Sequence, residues 1–502
     1  MGLIDILHKL AGYLPEIKSP DGSLGTKERL IWTGIALVLY FLMYETTVFG
    51  VQHLPSGIDF LQTITASKLG SLLTTGIGPI VLASIFLQLF VGAGILNLNL
   101  KDKSDRAKFA EVQKILGILL ALVEALIFVV FTKIVPVATI PGVDPTLVLA
   151  AVVAQITLGS VFVLFLDELV TKYGLGSGIS LFIAAGVSLT VFIGVVQLIF
   201  GPAGFVAIMG EGGAEALPNA LIELLPFGFT ILVFLVVVYA ESVKVEIPIA
   251  FERVRGMVPK LPLKFFYVSN IPVIFASALI INMQLFSGGL LTGQYWVKGA
   301  SGVVTGPTDA FKVMSDTHAY DFSRDGVIPL FGYTDSQGRL VDGILYLFTP
   351  LSGIGKSTLE HYAELSSAST PIFKIPEWIH AITYILMLGV VSVIFGLFWV
   401  ETANMDAKSV ANQLTGSGIQ MPGFRRDPRM LETILNKHIF PLTVMGSLSV
   451  GLLAGVADLT GALGTGTGIL LTVGILHKMY EQLEQMKTFE MYPSFNKIFG
   501  EG

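Results

Sequence analysis

Apolar runs about as long as a bilayer's hydrocarbon core is thick recur along almost the whole chain, and a helix needs about 20 such residues to cross it. Ten stretches meet that length: Ile31–Val51, Ile77–Leu96, Val112–Val135, Leu147–Leu166, Gly178–Phe200, Phe227–Val245, Asn270–Leu290, Trp378–Val400, Phe440–Ala457 and Thr467–Met486. Of the residues, 53% are hydrophobic and 14% charged, with a mean hydropathy of +0.75. Water-soluble domains carry about 25% charged residues, so the deficit points to lipid as the solvent. The chain reads as one membrane domain with a large external insertion, Leu291–Glu377. It has no cysteine, which removes disulfides, thiolate metal sites and cysteine nucleophiles from consideration. The segment Met1–Arg29 is polar and lacks the apolar core and cleavage site of a secretory signal.

Positive charge orients the bundle. With the N-terminus in the cytosol, Lys and Arg gather in the N-terminal segment, in Leu98–Lys114, Asp167–Ser177, Glu241–Val268 and Glu401–Lys437, and in the C-terminal tail. The short loops of the other side hold only Lys68 and Lys133. The insertion does not weigh against this, because long segments translocate largely regardless of charge. Both termini are therefore expected in the cytosol.

Ten helices divide into two fives, and an odd number per half places the second half upside down. Short strings support the division. The second span begins Ile77-Gly78-Pro79-Ile80-Val81 and the seventh Asn270-Ile271-Pro272-Val273-Ile274. The fifth begins Gly176-Ser177-Gly178-Ile179, which we match to Gly466-Thr467-Gly468-Ile469 at the tenth. Inverted repeats place a pathway along their interface, often where helices are broken. Ile58–Gly70 is such a broken element: too short to span, polar at Asp59, Gln62, Thr63, Thr65, Ser67 and Lys68, and cut from the next helix by Gly70, Gly76 and Gly78-Pro79. Pro79 suits the first turn of a new helix. The polar residues keep the short helix out of open lipid; a functional element and a hairpin that only packs both fit.

Several motifs fail on inspection. Gly353-Ile354-Gly355-Lys356-Ser357-Thr358 resembles the end of a phosphate-binding loop, but the required earlier glycine is Pro350. His8, His53, His318, His361, His380, His438 and His477 show no ligand spacing and read as interfacial or loop residues. There is no nucleophile elbow and no pair of intramembrane aspartates. Glu124, halfway along the third span, is the acidic residue near a bilayer midplane. Such a residue is a functional candidate, for example in coupled transport, or a hydrogen-bonded carboxyl inside the bundle. Glu241–Val268, with Arg253, Arg255, Lys260 and Lys264, and Glu401–Lys437, with Arg425, Arg426 and Arg429, are long and basic enough to bind an anionic partner such as ribosomal RNA.

Specific strings run through the chain: Leu14-Pro15-Glu16-Ile17, Gln62-Thr63-Ile64-Thr65-Ala66-Ser67, Gly76-Ile77-Gly78-Pro79-Ile80-Val81, Leu166-Asp167-Glu168, Lys172-Tyr173-Gly174, Val268-Ser269-Asn270-Ile271-Pro272-Val273-Ile274, Trp399-Val400-Glu401-Thr402, Gly461-Ala462-Leu463-Gly464 and Met479-Tyr480-Glu481-Gln482. Together they resemble the SecY family, in its archaeal and eukaryotic translocon branch, over all but the middle of the insertion.

The resemblance implies an all-α membrane protein of ten transmembrane helices, in two inverted five-helix halves around a central pore, with a re-entrant plug helix. It implies a pore ring of Ile77, Val81, Ile179, Ile183, Ile274 and Leu471. An aliphatic ring offers an ion no ligands and excludes water when closed. Ile58–Gly70 would be the plug, with Ile58, Phe60, Leu61, Ile64, Thr65 and Leu69 seated beneath the ring. The second and seventh spans would form a lateral gate, marked by Pro79, Pro272 and Asn282. Arg253, Arg255, Arg425 and Arg426 would dock a ribosome or other partner, and Gly201–Pro226 would be the external hinge between halves 31–200 and 227–486. The implied partners are a SecE-like gamma-subunit, a small beta-subunit, the ribosome, signal sequences, nascent polypeptides and membrane lipid; no DNA, cofactor, metal or catalytic residue is implied. The expected location is the cell membrane. The rival reading is a secondary transporter coupled through Glu124.

Overall fold

The computed structural model describes residues 14–491 apart from 21, 23, 53–61, 63–65, 93–94, 97, 99–101, 132–134, 203, 213–215, 249, 252–259, 291–292, 296–312, 315–327, 335–339, 351–357, 371–372, 417–418 and 421–427. Each apolar stretch falls on a helix: α1 (Thr26–Glu45), α2 (Gly78–Gly92), α3 (Lys103–Leu126), α4 (Pro145–Tyr173), α5 (Gly178–Phe200), α6 (Leu225–Ser242), α7 (Ile271–Leu290), α8 (Glu377–Thr402), α9 (Pro428–Leu459) and α10 (Gly466–Met491). Among the described residues six helices are long and apolar enough to cross a membrane, and α2 and α7 supply shorter apolar segments.

Boundaries follow local chemistry. Asp144 caps α4, accepting from Thr146 N at 3.0 Å and Thr146 Oγ1 at 2.8 Å, and these bonds hold its carboxyl below the usual carboxylate range. Helix α3 closes in a π-helical turn, Ile127–Phe131. Helix α9 begins well before the predicted Phe440 and carries Pro441 inside it. The link Gly201–Pro226 is more ordered than its glycines imply, since it contains helices Phe205–Glu211 and Ala216–Glu223. The insertion holds a four-stranded sheet, and Lys244–Pro248 pairs antiparallel with Lys260–Lys264 between α6 and α7.

The bundle uses the same set of bonds twice. Before α2 the chain turns through Gly76 (φ 54°), and before α7 through Ser269 (φ 56°). Gly76 N donates to Leu73 O, and Ser269 N to Phe266 O. One turn on, Val81 N donates to Ile77 O and Ile274 N to Asn270 O, both at 3.1 Å. Thr33 of α1 accepts from Leu175 N at 3.0 Å; Thr230 of α6 accepts from Leu463 N at 2.9 Å. Each threonine hydroxyl donates back to its own helix, at Arg29 O and Pro226 O. Gly176 (φ 73°) and Gly464 (φ 74°) follow those leucines. Finally Gly159 of α4 lies against Leu72 O, and Gly446 of α9 against Phe265 O.

These bonds correct one register. Gly176-Ser177-Gly178-Ile179 corresponds to Gly464-Thr465-Gly466-Thr467, not to Gly466-Thr467-Gly468-Ile469. Glycine-rich strings slide easily on one another, whereas bonds to a fixed threonine do not.

Helices α8 and α9 meet backbone to backbone. A Cβ on Gly451 would lie 2.7 Å from Gly389 Cα and 2.8 Å from Leu388 O. Gly474 of α10 makes room for the residue before α7: a Cβ there would fall on the Asn270 side-chain amide. Gly474→Ala is expected to lower stability by about 1–3 kcal/mol, the usual range for overpacking. Gly34→Ala, at an open position on α1, should be neutral or mildly stabilising. Thermal unfolding of the purified protein in detergent checks both, and equal midpoints for the two variants would contradict the packing.

Candidate functional site

The six residues expected to form the ring all lie in or against one large apolar cluster that takes in much of the bundle. Ile77 and Val81 at the start of α2, Ile183 on α5, Ile274 on α7 and Leu471 on α10 are buried, and half-buried Ile179 packs against them in the same apolar cluster. Helix α2 packs against α7, and α5 against α10. By the repeated bonds, Val81 corresponds to Ile274 and Ile183 to Leu471. Four of the six residues expected in the ring thus form two pairs of equivalent positions, whereas Ile77 and Ile179 correspond to Asn270 and Thr467.

Local sequence explains why these residues converge. A left-handed residue reverses the chain just before α2 and before α7, and only glycine does so without steric cost; Ser269 accepts that cost. Pro79 and Pro272 fall in the first turns, where the missing N–H costs no helical bond. Where the first half has Ile77, the second has Asn270. Its Nδ2 donates to Leu470 O at 2.9 Å and Leu471 O at 3.4 Å, tying α7 to the backbone that carries Leu471. Tyr40 of α1 stacks on Phe182, beside Ile183, with centroids 4.9 Å apart and planes 11° apart. Its hydroxyl donates to Ala66 O at 2.8 Å.

Other expected residues distribute as follows. Leu69 is buried in a second cluster with Phe128 and Ile281, while Ile58, Phe60, Leu61, Ile64 and Thr65 lie outside the described residues. Asn282 is buried and donates to Ala278 O at 2.9 Å. Its Oδ1 has no partner among the described residues. Glu124 is buried on α3, one turn before the π-helical segment. Its Oε1 also lacks a partner among the described residues. Arg253, Arg255, Arg425 and Arg426 lie outside the described residues, as do His8, His53, His318 and the string from Gly353 to Ser357.

Two histidines differ from expectation. His380 is buried between Glu377 Oε2 and Thr349 O, each 2.9 Å from a ring nitrogen. His361 is buried with Nε2 3.1 Å from Leu459 O. They pin the insertion onto α8 and the end of α9. Sequence spacing alone could not find the bonds that join them to the rest of the fold, because Thr349 O and Leu459 O are main-chain carbonyls remote along the chain.

A charged clamp holds the segment before α1. Glu168 of α4 takes Lys114 of α3 at 2.8 Å and Lys172 at 2.9 Å, and accepts from Ile17 N at 3.2 Å. Lys114 also donates to Pro15 O, Lys172 to Ile17 O, and Tyr173 to Lys18 O. Four residues quoted from three separate strings, Pro15, Ile17, Glu168 and Lys172, thus form one contact.

Comparison with known proteins agrees with this architecture. A family profile described as SecY matches residues 71–480. The chain is 42% identical over 499 residues to the protein translocase subunit SecY of Methanocaldococcus jannaschii, covering 99% of each. This chain belongs to the SecY family. The SecY protein of Pyrococcus furiosus is 36% identical over 528 residues, covering 100% of each. Among solved structures, one described as that of a protein conducting channel superposes with a TM-score of 0.75 at 40% identity, covering 98% of this chain and 99% of that one. Sec61 in a canine ribosome–channel complex from the endoplasmic reticulum superposes with a TM-score of 0.72 at 38% identity, over the same shares.

Glu168→Ala should leave Lys114 without its carboxylate, leave Lys172 with Glu16 alone and free the Ile17 amide, at a cost of about 1.5–3 kcal/mol, typical of hydrogen bonds to charged groups. Hydrogen exchange at Ile17 is expected to accelerate while exchange in α5 is unchanged. An unchanged Ile17 rate would show that the clamp does not depend on Glu168.

Proposed function

We propose that this SecY-family chain is the pore-forming subunit of a Sec protein translocation channel. It passes unfolded secretory polypeptides across the membrane and releases transmembrane segments sideways into lipid. The observation that supports the reading is the burial of equivalent aliphatic residues, Val81 with Ile274 and Ile183 with Leu471, near the starts of α2, α7, α5 and α10; they would form an aliphatic constriction. Buried aliphatic side chains present no group to coordinate an ion, yet they yield around any side chain that is pushed through. The chain itself performs no catalytic step, and a bound ribosome or other motor drives translocation.

In this reading α2 and α7 are the lateral gate. An apolar signal segment that intercalates there gains hydrophobic burial and shifts the population toward the open state. The segment 58–70 is the plug, and Asn282 faces it and the gate. Residues 201–226 form the external hinge between inverted five-helix halves, 31–200 and 227–486, and the termini face the cytosol. A SecE-like subunit and a small beta-subunit complete the assembly in the plasma membrane. Arg253, Arg255, Arg425 and Arg426 dock the ribosome.

Replacing Ile77, Val81 and Ile274 together with glycine should make the resting channel conduct ions in planar bilayers; unchanged conductance would remove the ring. Arg253→Glu with Arg255→Glu should weaken ribosome binding and flatten its salt dependence by about one unit of slope per lost phosphate contact. Photocrosslinking of a ribosome-stalled secretory chain decides the reading as a whole. Crosslinks to Ile77, Val81, Ile179 or Ile274, with the signal near α2 and α7, are expected. If they are absent while Glu124→Gln abolishes a saturable solute uptake, the chain is a transporter instead.

A further inference from the structure

Helices α5 and α10 each take a cap from the end of the helix before them, α10 at a buried start. Asp167, near the end of α4, accepts from Ile179 N at 2.8 Å and also from Gly178 N. Asp458, at the end of α9, accepts from Thr467 N at 3.0 Å and also from Gly466 N. By the repeated bonds, Gly178 corresponds to Gly466 and Ile179 to Thr467, so the two carboxylates meet equivalent amides. They do so from unequal tethers, Asp167 eleven residues before Gly178 and Asp458 eight before Gly466. The capping bond is therefore kept although the connection between the helices is not.

One turn beyond each capped amide stands a ring residue, Ile183 after Ile179 and Leu471 after Thr467. We propose that Asp167 and Asp458 are paired positioning residues that set the depth and rotation at which α5 and α10 present Ile183 and Leu471 to the constriction. This rests on the ring reading above.

The physical reason is register. The first-turn amides of a helix have no partner within it, and in surroundings without water they must find one. A carboxylate fixed on the preceding helix satisfies them at one register only. A slip of one residue would turn the helix by about 100° and carry the ring side chain off the constriction. Thr33 and Thr230 hold the preceding turn from the outside, at Leu175 and Leu463. The two caps differ in one respect. Asp458 also accepts from Tyr384 of α8 at 2.9 Å and from the Thr467 hydroxyl, so α10 is keyed to α8 as well as to α9.

The absence of native cysteine gives a direct test. Ile183→Cys and Leu471→Cys are made singly in the full chain, assembled with its membrane partners in proteoliposomes, and labelled with a water-soluble maleimide at rest. Asp458→Leu should speed labelling of Leu471→Cys by about two- to thirtyfold, the range that loss of a helix cap gives, and leave Ile183→Cys unchanged. Asp167→Leu should do the reverse. Asp167→Asn keeps an acceptor oxygen and should leave labelling of Ile183→Cys at the parental rate. Tyr384→Phe, which removes a single hydroxyl, should give a smaller acceleration at Leu471→Cys alone. Acceleration of both cysteines by either leucine variant would mean general loosening and would overturn the proposal, as would no change at either. Rapid labelling of both cysteines with the aspartates intact would instead refute the ring on which the proposal rests.

Discussion

A helix that ends in lipid or in an apolar interior leaves its terminal amides and carbonyls with no water to satisfy them, and each orphaned group costs several kcal/mol. The rest of this structure is arranged around that requirement. Several polar side chains answer it at helix ends: Thr33 and Thr230 on the turns before α5 and α10, Asp167 and Asp458 on their first amides, Asn270 between α7 and α10. Much of the remaining packing is apolar and nonspecific in direction. The polar bonds therefore decide register, while apolar burial supplies the bulk of the attraction.

In the proposed channel, that division accounts for a constriction made of aliphatic residues. Ile77, Val81, Ile183, Ile274 and Leu471 need no polar partner, because the bonds that place them are made elsewhere. A ring held by its own hydrogen bonds would have to break them whenever something passed. One positioned by its helix ends can yield at the side chains without unmaking the fold.

The elements legible in the sequence were those written as local pattern. Twenty-residue apolar runs located the helices, and Pro79 and Pro272 marked the first turns of α2 and α7 through a backbone rule that acts within a few residues. The ring residues rest on resemblance to a family, and they belong to an apolar cluster that takes in much of the bundle. What pattern could not supply was the partner of a buried polar group. Asn270 bonds main chain two hundred positions away, and nothing near Asn270 announces it. The α5/α10 correspondence was misaligned for the same reason: Gly-Ser-Gly and Gly-Thr-Gly look alike in several registers, and the bonds from Thr33 and Thr230 choose among them. His361 and His380 read as interfacial because spacing tests for metal ligands, not for a carbonyl on another element.

The backbone contact between α8 and α9 carries a mechanical consequence. Most helix pairs meet through side chains that can change rotamer, which lets one helix creep along the other. At Gly451 the contact is with the backbone of α8 itself, at Gly389 Cα and Leu388 O, and backbone cannot change rotamer. A sliding step would drive Leu388 or Leu452 into a gap with room for hydrogen only. The pair is therefore a single stiff beam, and any shear in the second half has to be taken up at its flanks, where α8 meets α7 through rings such as Phe275 and Phe395.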